Sequence, residues 1–353
     1  MAEVALAGLG TAVPEHRLPQ TQAAALAREF FGERFADFDR LAPVFVNSGI
    51  DSRALAMPVE WYLEPRGFEA RNAAYLEVAT SLFEKSAADA LERAGLHGRD
   101  IDAVVTVTSS GVATPTLDAR AAHRLGLRSD VMRVPMFGLG CAGGLSGLSV
   151  GARLAARSAG AESGAKVLVV AVELCTLSFR RDTFTKANVV ATALFADGAA
   201  AAVLVPAVGG SAVTLTAGCQ HMWPSTLRIM GWDVADDGFE VVFDRDIPPF
   251  IRRQLRPVAD GALERLGIER ADVERFGFHP GGAKVLEAIE GAMELPPGSL
   301  DIERAVLRAN GNMSAPTVLF VLERLLASGG AGLRVMSALG PGFTAVMVPV
   351  RSQ

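Results

Sequence analysis

Residues 137–144 read FGLGCAGG, and Gly138, Gly140 and Gly143 fall at the G-x-G-x-x-G spacing of a dinucleotide-binding turn. An apolar run, VMRVPMF, precedes the turn, and a helix-like run, LSGLSVGARLAARS, follows it. The stretch is therefore a strand–turn–helix unit. Cys141 stands in its middle. A helix N-terminus offers unpaired N–H groups and the positive dipole end to any anion, so a pyrophosphate and a nucleophilic sulfur both fit there. A thiol in that place is expected to have a lowered pKa; a buried structural cysteine is the third option. The helix is small and apolar nearly all round until Arg153, which places it inside the molecule. Its glycines cost about 1 kcal/mol each relative to alanine, and make sense if something packs very close.

Outward from this unit, strands and helices alternate. VALAGLG is a strand and QTQAAALAREFFGERF a helix. Residues 70–95 form a long amphipathic helix closed by Gly95. IDAVVTVTSS, KVLVVAVEL and GAAAAVLVP are apolar runs of the kind found in buried strands. AVGGSA, residues 207–212, is a small joint, and the pattern resumes beyond it. AVVTVTSSGVATPTLDARAAHRLGL is echoed by RFGFHPGGAKVLEAIEGAMEL, and GLGCAGGLSGLSVGARLA by GNMSAPTVLFVLERLL. The chain thus reads as a pseudo-duplicated α/β protein of two halves, 1–208 and 209–353, with its site between them.

With 353 residues the chain can bury one large core or two ordinary ones, and its net charge of -5 argues against a nucleic-acid partner. Cys141, Cys175 and Cys219 are odd in number and form no CxxC pair, so neither a disulfide framework nor a metal site is expected. A reducing cytoplasm is the expected compartment. MAEVALAGLGTAVPE reads as a strand and turn rather than a leader, and no run of eighteen residues is both uncharged and apolar throughout, so no membrane span is expected.

Of the five histidines, His16, His97 and His123 lie in polar turns or on polar helix ends. His279 instead ends an apolar strand, FGFHPGG, at the strand's C-terminal end, where open α/β sheets keep their sites. Asn312 lies on a Gly turn in ANGNMSAP, where Ser314 reads as the N-cap of the next helix. Glu173 ends a strand where a ribose-binding acid would sit, but it lies 173 − 143 = 30 residues past the last glycine, against the expected ~20.

These residues resemble the type III polyketide synthases, the chalcone/stilbene synthase family of the thiolase superfamily. The resemblance runs nearly end to end, through GTAVPEHRLPQ, TSSGVATP, GLGCAGG, VELCTLSFR, LFADGAAA, MGWDV, GFEVVF, FHPGG, GNMSAP and LGPGFT. It implies a five-layered αβαβα thiolase fold in a homodimer. It implies acyl-CoA and malonyl-CoA as substrates, with no metal or redox cofactor. Cys141 falls on the acyl-accepting nucleophile, and His279 and Asn312 on the pair that binds the thioester carbonyl. Phe195 falls on the gatekeeper aromatic between the CoA tunnel and the cavity. Cys175, Ser178 and Ser314 fall on substrate-binding positions. The resemblance also implies that His279 stabilises the thiolate as an ion pair.

The chain departs from the family at several places. Val241 stands where many plant members carry a second gatekeeper Phe, and Leu339 replaces an aromatic in the GPG loop. Thr114 stands where many members send a Met across the dimer. Larger-to-smaller changes suggest a longer, less aromatic cavity, although Trp232 could block it. ATPTLDAR and MGWDV resemble bacterial alkylpyrone and alkylresorcinol synthases. A fatty acyl starter and a pyrone or resorcinol-type product are therefore expected. Near GIDSR, Asp51 stands where a CoA-binding lysine is common and Arg53 remains; Lys284 is placed to meet a phosphate. Two alternatives stay open: an initiating β-ketoacyl synthase making one condensation, and a dinucleotide-dependent oxidoreductase.

Overall fold

The computed structural model describes residues 2–156 and 164–353. The first half supplies β1 (Glu3–Ala12), α1 (Gln20–Phe31), α2 (Phe68–Ala94), β2 (Ala103–Thr108) and α3 (Leu117–Leu125). It continues with β3 (Met132–Phe137), α4 (Gly143–Ala155), β4 (Val167–Leu174), α5 (Lys186–Leu194) and β5 (Asp197–Pro206). Residues 207–212 then lead into β6 (Val213–Thr216), β7 (Cys219–Met222) and a hairpin of β8 (Met230–Ala235) and β9 (Gly238–Phe243). The rest is α6 (Ile247–Leu266), β10 (Val273–Phe278), α7 (Ala283–Met293), α8 (Asp301–Asn310), α9 (Thr317–Ala327), β11 (Gly332–Gly340) and β12 (Thr344–Ser352). Gly95, at φ +64°, closes α2 in the left-handed conformation that stops a helix.

The topology carries the duplication that the sequence pattern implies. From the centre outward the first half runs β1-β5-β4-β2-β3, and the second runs β6-β12-β11-β10. In both, the first strand pairs antiparallel with the last, the last antiparallel with its predecessor, and the next neighbour is parallel. β1 and β6 pair antiparallel, with Val4 opposite Leu215, and so join the halves into one ten-stranded sheet.

Alternation along the strands assigns the layers, because successive side chains point to opposite faces. Leu168, Val170 and Val172 of β4 pack with α2 and α3, while Val167, Val169 and Ala171 pack with α4 and α9. Val346, Val348 and Val350 of β12 meet the same two central helices, and Ala345 and Met347 meet α6 and α7. The order is helix, strand, helix, strand, helix, the five layers of the thiolase fold. α4 and α9 are buried between the halves, so the turns before them converge there. β3 lies at the free edge of the sheet, and its Met132 and Phe137 are exposed rather than packed.

Candidate active site

Beyond β3 the chain turns through Gly138 (φ +86°) and Gly140 (φ +46°) into a tight turn, Gly140–Ala142, that leads into α4. The close packing expected of the glycines comes from both halves: Gly147 and Gly151 lie against Val107 and Val169 of the first half's own sheet, and Gly140 and Gly144 against the second half. A side chain at Gly144 would begin 2.2 Å from the Ala315 carbonyl oxygen, and one at Gly140 2.7 Å from Pro341 Cδ. The turn is closed over by protein. Glu173 is also engaged: its carboxylate accepts from the Ser109 N–H at 3.0 Å and the Ser109 hydroxyl at 2.7 Å. A pyrophosphate at this turn and a ribose at Glu173 thus both meet groups already committed to the fold.

His279 follows β10, where Phe278 pairs with Ser337 of the parallel strand β11, and its N–H donates to the Ser337 carbonyl at 2.8 Å. Asn312 is held by two backbone bonds across the halves: Ala196 N–H to its carbonyl and its own N–H to the Leu194 carbonyl, both 2.9 Å. Its Nδ2 donates to the Gly281 carbonyl at 3.1 Å, and its Oδ1 accepts from Ser314 N–H at 2.9 Å. These bonds fix the amide and leave its second Nδ2 hydrogen to donate to the Cys141 sulfur. Cys141, His279, Asn312 and Leu339 line one cavity. Neither imidazole nitrogen has a partner there, although the ring is buried.

Ser314 does not cap a helix. The N-cap of α9 is Pro316, and Ser314 sits two residues earlier at φ +59°, a left-handed conformation that carries its hydroxyl to the Cys141 sulfur. The thiol, too, departs from expectation. Cys141 keeps some solvent contact as a residue, but its sulfur is walled in. Burial pushes the thiol up to about 12, against the opposing hydrogen bond from Ser314. Burial likewise depresses His279 to about 3. The site therefore favours a neutral thiol beside a neutral imidazole, because the low-dielectric interior contributed by both halves outweighs the helix dipole.

A second cavity opens beside the first, lined by Phe195, Cys175 and Ser178 together with Ala23, Ala27 and Phe30 of α1. The Phe195 ring packs 6.1 Å from that of Phe243, which lines the Cys141 cavity, and 5.7 Å from that of Trp232. Phe195 thus stands between the two cavities.

A buried Cys, His and Asn brought together by the two halves of a five-layered α/β fold are now in place. Residues 59–208 match the N-terminal domain of chalcone and stilbene synthases, and residues 214–352 match the C-terminal domain. The chain belongs to the chalcone and stilbene synthase family. It is a type III polyketide synthase by family, and hence an acyltransferase. It is 40% identical to a 1,3,6,8-tetrahydroxynaphthalene synthase of Streptomyces peucetius subsp. caesius, over 98% of this chain and 92% of that one. A putative chalcone synthase of Bacillus subtilis is 34% identical over 96% of each chain. The crystal structure of the tetrahydroxynaphthalene synthase of Streptomyces coelicolor A3(2) superposes with a TM-score of 0.92, at 28% identity and 99% coverage of both chains.

Several of the remaining positions depart from what the resemblance to chalcone and stilbene synthases implies. Arg53 is buried, and its guanidinium donates to the carbonyls of Thr192, Ala193 and Phe195 and to Gln20. It secures the C-terminal end of α5, where carbonyls lack helical partners, and is not free for a CoA phosphate. Lys284 is exposed in the first turn of α7. Thr114 is exposed and lines neither cavity. Val241 lies opposite Trp232 in the β8–β9 hairpin, whose register also sets Met230 opposite Phe243. The region is consequently no less aromatic: Trp232 and Phe243 flank Phe195 where a second gatekeeper Phe is missing. Sequence reasoning passed over Met230, Phe243 and Ser337 as cavity residues. The alternating runs around ADDG could have revealed the first two as cross-strand neighbours.

Proposed function

We propose that the chain loads an acyl group from a CoA thioester onto Cys141 and extends it by repeated decarboxylative condensation with malonyl-CoA. The observation that carries this is the cavity in which the Cys141 sulfur, the Asn312 amide that donates to it and the His279 imidazole converge. The sulfur attacks the thioester carbonyl while neutral His279 takes its proton, and the proton departs with the CoA thiol. Malonyl-CoA then loses carbon dioxide, and the enolate oxygen is held by hydrogen bonds from His279 and Asn312. The enolate carbon attacks the Cys141 thioester, which releases the sulfur for another round. No metal or redox cofactor takes part in these steps.

A fatty acyl starter, closing to a pyrone or resorcinol-type product, is supported by the apolar cavity behind Phe195, walled by Leu18, Ala23, Leu26, Ala27 and Phe30. Cys175 and Ser178 line the same cavity. A second reading, a naphthalene-type product built from malonyl units alone, is favoured by the names of the relatives and by the aromatic ring pair flanking Phe195. We also take the chain to divide at 208/209 and to work as a homodimer. The repeated strand order supports the first. For the second, Val112, Met132 and Phe137 offer exposed apolar side chains on the edge strand and the loop leading to Thr114. We also take Lys284, exposed in the first turn of α7, to meet a CoA phosphate.

The test is to supply malonyl-CoA with short, long and aromatic acyl-CoAs and to identify the products by mass spectrometry beside Cys141→Ala. Multiply extended products from the parent protein and none from the variant are expected. A single condensation product would point to the initiating synthase, and products that survive Cys141→Ala would refute the nucleophile.

A further inference from the structure

Ser337 has no part in the chemistry described so far. Its backbone lies in register with Phe278, and its carbonyl accepts the His279 N–H, so it sits beside the imidazole at the C-terminal ends of two parallel strands. The residue is 1% exposed and lines the same cavity as Cys141, His279 and Asn312. Among the described residues its hydroxyl oxygen has no hydrogen-bond partner. The wall around it is otherwise apolar, with Ile247, Ile251, Val285 and Ile289 facing in from α6 and α7. Hydroxyls in the neighbouring cavity are treated differently by the fold. Thr176 bonds Tyr62 and Asp197, Ser178 bonds the Cys175 carbonyl, and Thr192 bonds the Asn188 carbonyl. A buried hydroxyl without a partner destabilises a fold unless a ligand supplies one.

We propose that Ser337 is a specificity-determining residue, whose hydroxyl donates a hydrogen bond to a carbonyl oxygen carried by the acyl chain in the Cys141 cavity. The inference rests on the acyl-transfer function proposed above. It assigns the cavity to oxygen-bearing 3-oxoacyl chains in preference to alkyl chains of the same length, since an alkyl chain leaves the hydroxyl unpaired. A site built around a hydrogen bond rejects the analogue that lacks it more sharply than an apolar pocket rejects an added group.

The experiment compares acetoacetyl-CoA with butyryl-CoA, two four-carbon primers that differ by one carbonyl. Acylation of Cys141 without malonyl-CoA is followed by intact-protein mass spectrometry. The acetoacetyl-to-butyryl rate ratio is expected to fall about five- to tenfold in Ser337→Ala, the range of one neutral hydrogen bond. Ser337→Thr, which keeps a hydroxyl, should retain the parent ratio. The Tm of Ser337→Ala should be no lower than that of the parent, because the hydroxyl has no internal partner to lose. An unchanged ratio in Ser337→Ala, a Thr variant that behaves like Ala, or a lowered Tm in Ser337→Ala each overturns the inference while acyl transfer itself stands. Failure of the parent protein to take an acyl group from either four-carbon CoA overturns this inference, whereas failure with malonyl-CoA and every acyl-CoA of the wider panel overturns acyl transfer itself.

Discussion

Two cavities meet at Phe195, and their polar groups are arranged in opposite ways. The cavity of Cys141 is the smaller, about 30 Å³ against about 80 Å³. It holds three buried polar atoms without partners, both nitrogens of His279 and the hydroxyl of Ser337. In the cavity behind Phe195, the hydroxyls of Tyr62, Thr176, Ser178 and Thr192 are bonded within the protein. There, among the described residues, only the Nε of Arg53 lacks a partner. Unsatisfied buried polar atoms cost stability, so their concentration in one cavity marks where polar atoms of a substrate belong. Satisfied hydroxyls leave a wall of hydrocarbon, which suits an alkyl chain.

The sharpest way to break this contrast is to titrate the sulfur. Burial pushes the Cys141 thiol up to about 12 and the His279 imidazole down to about 3, so at neutral pH the site carries almost no thiolate. Alkylation of Cys141 by iodoacetamide should then rise about tenfold per pH unit, or about a thousandfold from pH 7 to 10, as the thiolate fraction grows below the pKa. A rate already on a plateau near pH 6 would instead reveal a thiolate–imidazolium pair. Next in size is Asn312→Ala. It removes one of two donors to the enolate oxygen, and decarboxylation of malonyl-CoA should slow by about 10²–10³. A loss below tenfold would leave His279 as the sole stabiliser.

The parts of the fold and site that were legible in the sequence share a local signature. The helix closed by Gly95, the buried strand of IDAVVTVT and the three site residues each sit where an apolar element meets a Gly or Pro turn. Cys141, His279 and Asn312 could be picked out because such turns fall at the ends of buried elements. What stayed hidden depends on residues far away in the chain. Arg53 reads as a CoA-binding cation until its donors are seen to reach residues 192–195. Ser314 reads as a cap because the sequence does not display its positive φ. The dipole at Cys141 is local, but the burial that outweighs it comes from both halves. Ser337 reads as an ordinary interior strand residue in RVMSALG, and only the cavity above the strand end sets it apart.

The smallest effect bears on the larger cavity alone. Ala27 of α1 is buried in its wall, and Ala27→Leu places a branched side chain in the space proposed for an alkyl tail. Displacing two methylenes of a bound chain into water costs roughly 1.6 kcal/mol at about 0.8 kcal/mol each. The kcat/KM ratio of a long acyl-CoA to acetyl-CoA should therefore fall about tenfold. Overpacking itself costs about 1–3 kcal/mol of stability, so the Tm should drop by a few degrees. Because that loss acts on both substrates alike, the ratio isolates the cavity. A ratio that does not move would place the alkyl tail elsewhere. Absence of any turnover with long acyl-CoAs in the parent protein would favour products built from malonyl units alone, with the hydrocarbon wall behind Phe195 serving as packing rather than as a binding surface.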